Sequence, residues 1–305
     1  MLKGWARRPQ WIGLVGMSLV LQGTLWVGWV EPSQSQSLPE MSVGVGTPQT
    51  PEEYLDLGLQ YVQAGDLPSA IAAFEQSTVL DPSFAPGYYN LGLALRQGGQ
   101  LQAAANAFYG ATQTDPSFAM AFGNLGAALL EGGNYEQAEA YLLHSLALDP
   151  KLGLAYYNLG LLRQQQGQLD AAFAAFQQAS ILTPTAPEPH YYKGMIYLQQ
   201  QAYPEAIAAI EQAIALDPNY FEAYYSLGTI QFQQGLYDQA LESFRSAAEV
   251  NANYPNAYYG AGLTFMQLGD YTNARRVFEY ARDLFTAQGN TDWAASAEQY
   301  LQQLP

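Results

Sequence analysis

The 305-residue chain is 49% hydrophobic and only 12% charged, with 27 acidic against 11 basic residues and a formal net charge of −16. That balance argues against a nucleic-acid partner, because a phosphate-binding face needs clustered Lys and Arg. With no cysteine, thiol nucleophiles, disulfides and iron–sulfur clusters are excluded, and the two histidines, His144 and His190, are too few for a histidine-built zinc site.

Lys3, Arg7 and Arg8 precede an uncharged stretch from Trp11 to Val30. A helix of that length spans roughly 30 Å, the hydrocarbon thickness of a bilayer. Trp11, Trp26 and Trp29 lie towards its ends, where indoles prefer the membrane interface. No further basic residue occurs before Arg96, so the basic N-terminus, residues 1–10, is expected to stay cytoplasmic and the rest to cross. Residues 11–30 are therefore expected to form a single transmembrane helix or signal anchor. A cleaved signal peptide is the rival reading, but no small-x-small site follows Val30 cleanly. Residues 31–50 are dominated by Pro, Ser, Gln and Gly without apolar periodicity, and read as a flexible linker.

From Pro51 to Gln288 the sequence repeats every 34 residues without an insertion or deletion. Gly58, Gly92, Gly126, Gly160, Gly194, Gly228 and Gly262 mark position 8 of successive units, and Ala70, Ala104, Ala138, Ala172, Ala206, Ala240 and Ala274 mark position 20. Position 4 is aromatic in six units, with His190 in the fifth, and position 7 is mostly Leu, with Lys193 in the fifth. Position 15 is Gly in six units, where a helix stops and turns, and position 32 is Pro in five. The spacing predicts two helices per unit, with the small residues at their crossing and the large ones at positions 4, 7, 11 and 24 around it. One unit cannot bury its apolar face alone, so units must stack.

This pattern, aromatic-x-x-Leu-Gly followed by Ala, Phe, Ala and Pro, resembles the tetratricopeptide repeat. The resemblance implies an all-α, right-handed superhelical solenoid of seven helix-turn-helix units: 51–84, 85–118, 119–152, 153–186, 187–220, 221–254 and 255–288. Residues 289–305 do not begin another unit. Their stripe of Trp293, Ala297, Tyr300, Leu301 and Leu304 predicts a capping helix, with N-cap candidates at Asn290, Thr291 and Asp292.

The chain shows no phosphate-cradling loop, metal-spaced cluster or nucleophile elbow, so no enzymatic activity and no cofactor is expected. His144 and His190 read as packing residues, and Asp-Pro pairs such as Asp81-Pro82 as helix-end chemistry. Helical geometry places positions 4, 7, 8 and 11 on one buried face and positions 2, 5, 6, 9, 12 and 13 opposite. The resemblance implies that this opposite side lines a concave groove for peptide ligands. There position 5 supplies Tyr89, Tyr157, Tyr191, Tyr225 and Tyr259, position 6 supplies Asn90, Asn124 and Asn158, and position 13 supplies Gln97, Gln165, Gln199 and Gln233. Amides donate and accept together, which suits the backbone of an extended peptide, and tyrosine adds stiff contact area. Packing between units is the alternative role for the tyrosines, and plain helix propensity for the glutamines. Arg96 is the one basic residue at these positions, which argues against binding of Hsp70/Hsp90 tails. The expected function is a membrane-anchored scaffold that binds a protein or peptide partner during assembly of a larger complex. A self-associating structural protein that forms homo-oligomers and the sensor arm of an envelope system are the alternatives. The localisation expected is single-pass, with the repeats in the periplasm or a lumen.

Overall fold

The computed structural model describes residues 48–305, so the expected anchor at 11–30 and nearly all of the linker lie outside the described residues. Within them, no helix is long and apolar enough to cross a membrane. The described residues form fifteen α-helices and no strand. The chain divides into two compact units, the first ending at Leu162 and the second running from Arg163 to Pro305.

In the first unit α1 (Pro51–Gln63) pairs with α2 (Leu67–Leu80), α3 (Ala85–Gln97) with α4 (Leu101–Thr114), and α5 (Ala119–Glu131) with α6 (Tyr135–Leu148). Helix α7 (Gly153–Gln165) follows. The second unit holds α8 (Leu169–Leu182), then the pairs α9 (Glu188–Gln199) with α10 (Tyr203–Leu216), α11 (Phe221–Gln233) with α12 (Tyr237–Val250), and α13 (Pro255–Gln267) with α14 (Tyr271–Ala287). Helix α15 (Thr291–Gln303) closes the array against α14.

The small residues do what their period predicts. All seven alanines of position 20 are fully buried. A Cβ added at Gly92 would lie 2.6 Å from Phe108 Cδ1, and one at Gly126 would lie 2.6 Å from Leu142 Cγ and 3.1 Å from the Ala138 carbonyl oxygen. Glycine is thus required for close approach: the ring or branched side chain of the second helix packs on the bare backbone of the first. Phe74, Phe108, Leu142, Phe176, Ile210 and Phe278 are all fully buried by this packing. Each such side chain contributes about 1.5–3 kcal/mol on burial.

Helix ends follow local chemistry. Thr50 and Glu53 form a capping box: the Glu53 amide donates to Thr50 Oγ1 and the Thr50 amide to Glu53 Oε2, both at 3.2 Å. After α2 the Asp81 carboxylate accepts from the Ser83 amide at 2.8 Å and hydroxyl at 2.7 Å, and Asp115 and Ser117 repeat the turn after α4. Those bonds hold both carboxyls below the usual range. The Asp-Pro pairs are therefore turn-forming. Helix α14 runs to 17 residues where α12 has 14, although both lack the proline that ends five units.

Between the helices of a pair, position 15 takes a left-handed backbone, as at Gly99 (φ 73°) and Gly133 (φ 77°). Gln201 holds the same place after α9 with φ 61°, the one non-glycine among the described residues to do so. At the C-terminus, Ala294, Ala297 and Leu301 of α15 are buried. Tyr300 stacks on Phe278 at 5.2 Å and Trp293 on Phe285 at 5.8 Å. Asn290 is the N-cap, without a side-chain capping bond.

Candidate functional site: the side of the first helices

The first helix of each pair carries every residue expected in a groove. The glutamines are simple to place. Gln97, Gln165, Gln199 and Gln233 are the last residues of α3, α7, α9 and α11, and all four are exposed. Position 13 of α5 is Glu131, which instead forms an ion pair with Arg96 of α3.

The asparagines differ from one another. Asn90 is half-buried and donates to the Pro86 carbonyl at 2.8 Å. Asn124 is 2% exposed and donates to the Met120 carbonyl at 3.1 Å and to Tyr89 Oη at 3.2 Å. Its carbonyl oxygen lies 3.5 Å from Arg96 Nη1. Asn158 is 3% exposed and donates to the Leu154 carbonyl at 2.9 Å. All three amides therefore reach back to the carbonyl four residues earlier, a local use of Asn that helix propensity does not reveal.

The tyrosines pack between neighbouring pairs. Tyr89 lies against Phe118 at 4.8 Å and Phe108 at 5.9 Å. Tyr191, 5% exposed, lies against Tyr220 at 5.0 Å, with its hydroxyl 3.3 Å from Ser226 Oγ. Tyr225 meets Tyr254 at 5.4 Å and Phe244 at 5.7 Å. Tyr259, 6% exposed, is enclosed by Phe278, Trp293 and Tyr300. Tyr157 is half-buried on α7. Burial pushes the Tyr89 phenol up to about 12 and raises Tyr191, Tyr225 and Tyr259 above the ordinary range.

Tyr89 and Asn124 in the first unit, and Tyr191 and Tyr225 in the second, thus face neighbouring helices and are not the solvent-facing opposite of the buried stripe. The aromatic partners at position 34 (Phe118, Tyr220 and Tyr254) are functional candidates that the sequence reading passed over. Their signal was present, since an aromatic recurs there at the repeat period, with Phe84 as a fourth example.

Carboxylates punctuate the same side of the second unit. Glu222, at the start of α11, is pushed up to about 7 by burial, with Asp217 adding repulsion. Glu188, at the same place on α9, is also raised, by burial first and Asp217 second. The two histidines separate: His144 packs edge-on against Phe122 at 4.4 Å yet stays exposed, whereas His190 is half-buried and its pKa is lowered by burial and by Lys193. No group of three or more His, Asp or Glu among the described residues is placed to hold a metal ion.

Comparisons with known proteins agree with this architecture. A family model described as "Tetratricopeptide repeat" matches residues 55–117 and 124–187, and one described as "TPR repeat" matches 194–235 and 228–269. No curated protein sequence matches the chain. Among solved structures, the APC/C hetero-tetramer Cut9–Hcn1 superposes with a TM-score of 0.66 at 20% identity, over 70% of this chain and 43% of that one. The chain thus spans less than half of that relative. A tetratricopeptide repeat protein from Parabacteroides merdae gives 0.61 at 19% identity, over 81% and 98% of the two chains. YrrB, described as a TPR protein with an unusual peptide-binding site, gives 0.50 at 24% identity, over 64% and 99%. With the helix pairs, the close Gly–aromatic crossings and models that together span more than half of its length, the chain belongs to the tetratricopeptide-repeat family.

Proposed function

We propose that this protein is a membrane-anchored scaffold whose first-helix side binds a protein or an extended peptide during assembly of a larger complex. The observation that carries this reading is the composition of that side: half-buried and buried phenols and amides on successive helices, flanked by exposed glutamines. Such a surface offers directional hydrogen bonds and rigid aromatic area and little charge-dependent chemistry. Asn90, Tyr157 and Tyr225 are half-buried members of that side, and Gln97, Gln165, Gln199 and Gln233 are exposed at the ends of their helices. The peptide site described for YrrB supports the reading by analogy of fold. The seven units expected from the period, the anchor at 11–30 and a location of the repeats across the membrane belong to the same proposal.

The test is chemical cross-linking in native membranes, mild detergent extraction and mass spectrometry of what co-purifies. One distinct partner cross-linked to α3, α7 or α11 supports the scaffold. Recovery of cross-links between copies of this chain alone replaces it with self-association. For the anchor, full-length protein should resist carbonate washing, and a mature chain beginning just after Val30 would overturn that part.

A further inference from the structure

The seam between α8 and α9 carries an open pocket of about 230 Å³, lined by Asp170 and Phe173 of α8, Tyr197 of α9 and Gln200 directly after it. The two rings meet edge-to-face, with centroids 5.0 Å apart and planes inclined at 67°. Phe173 is the one aromatic residue at position 21 of a repeat; the other six units have Ile, Ala, Glu, Leu or Arg there. Both rings are half-buried, whereas Asp170 and Gln200 are exposed. Asp170 is the one charged residue that lines the pocket, and among the described residues it has no basic side chain within ion-pairing distance. The Phe173 ring already carries an ammonium: Lys193 Nζ lies over it, 5.8 Å from the centroid, although Lys193 does not itself line the pocket.

We propose that this pocket binds an alkylammonium group, with Asp170 countering its charge and the Phe173 and Tyr197 rings receiving its methyl or methylene surface. An aromatic ring attracts a cation to its negative face, and the inclined pair adds rigid apolar area for the alkyl part. The contact between Lys193 and Phe173 is this protein's own example of that attraction. Gln200 contributes an amide oxygen that accepts from the N–H of a primary ammonium. The excess of acids over bases, 27 to 11, favours the approach of a cation over that of an anion. Lys193 acts in the opposite direction, since a positive charge near Phe173 repels a second one. The attraction therefore rests on Asp170 and the rings. Phe173 belongs to a second helix and Tyr197 to position 11, on the stripe of positions 4, 7 and 8. The pocket is thus distinct from the residues proposed to bind the scaffold's partner, and it does not depend on that reading.

Saturation-transfer NMR on the full-length protein in a maltoside detergent tests the pocket. Choline probes for a free small molecule and Nα-acetyl-lysine methylamide for a side chain of a protein partner. Their uncharged counterparts are 3,3-dimethyl-1-butanol and Nα-acetyl-norleucine methylamide. At least one of the two cations should bind about fivefold or more tightly than its counterpart. The stronger cation identifies the source of the ammonium. Asp170→Asn, at an exposed position, should reduce the preference about threefold or more. Phe173→Ile places the residue that two other repeats have there, and should also reduce it. Lys193→Leu restores the residue of five other repeats and should leave cation binding undiminished or stronger. Absence of transfer from both cations, equal binding of each cation and its counterpart, a preference that survives both Asp170→Asn and Phe173→Ile, or cation binding weakened by Lys193→Leu overturns the proposal.

Discussion

Tyr89 and Asn124 sit 35 residues apart on α3 and α5, and the Asn124 amide donates to the Tyr89 hydroxyl at 3.2 Å. Arg96 and Glu131 repeat the same offset two turns along, with Arg96 Nε donating to Glu131 Oε1 at 2.9 Å. Tyr191 and Ser226 repeat it in the second unit. Neighbouring first helices therefore touch with a stagger of one residue beyond the repeat, and this stagger decides which side chains become partners.

Breaking the Arg96–Glu131 pair should cost stability. Their side chains are 15% and 11% exposed, so removing one partner leaves a poorly hydrated charge. Glu131→Ala is expected to destabilise the chain by about 2–3 kcal/mol, whereas a paired Arg96→Met, Glu131→Leu change should cost less than about 1 kcal/mol. Urea denaturation in a double-mutant cycle checks both.

The asparagines should separate in the same way. Asn90→Ala, at a half-buried position, is expected to change stability by less than about 0.5 kcal/mol. Asn124→Ala should cost about 1–2 kcal/mol, because Tyr89 and Arg96 lose a buried partner. Equal midpoints for the two variants would show that the Asn124 contacts contribute nothing.

Gly126→Ala sets helix propensity against packing. Alanine favours the helix by about 1 kcal/mol. The added carbon would lie 2.6 Å from Leu142 Cγ, a clash with a side chain that is fully buried, and overpacking of this kind costs about 1–3 kcal/mol. A lowered melting temperature is expected, and Ala138→Leu at the same crossing should lower it further.

Gln201→Gly should raise stability by about 1 kcal/mol, since the left-handed backbone at φ 61° is strained for any residue with a Cβ. Thermal unfolding of the single variant is the measurement.

Stability should also depend on Glu222. Burial raises its folded-state pKa to about 7, above the unfolded carboxyl range near 4.5. The folded chain therefore binds more protons than the unfolded chain between these values. Stability is greatest with the carboxyl protonated and falls as pH rises through that window. With solvent screening of this partly exposed group, about 1–2 kcal/mol should be lost between pH 5 and 8. The raised Glu188 acts in the same direction. Glu222→Gln should flatten the profile and raise the midpoint at pH 8.

Sequence alone determined the helix pairs, their ends and their crossings. These rest on local rules: a glycine where backbone meets ring, as at Gly92 and Phe108; a glycine where φ turns positive, as at Gly99; an Asx turn where Asp81 meets Ser83. Each rule acts within one repeat, so the 34-residue period displays it. The expected groove residues were legible as types and positions but not as contacts. Asn124 and Asn158 proved buried, Tyr191 and Tyr259 proved enclosed, and the glutamines proved to be helix ends. Only tertiary packing decided this, because the one-residue stagger between adjacent first helices pairs position 5 with position 6 and sets position 5 beside position 34. A period of 34 cannot express a relationship that spans 35 residues. The same holds for Lys193: the sequence marked it as a departure, but its place over Phe173 beside an open pocket depends on where α8 lies against α9.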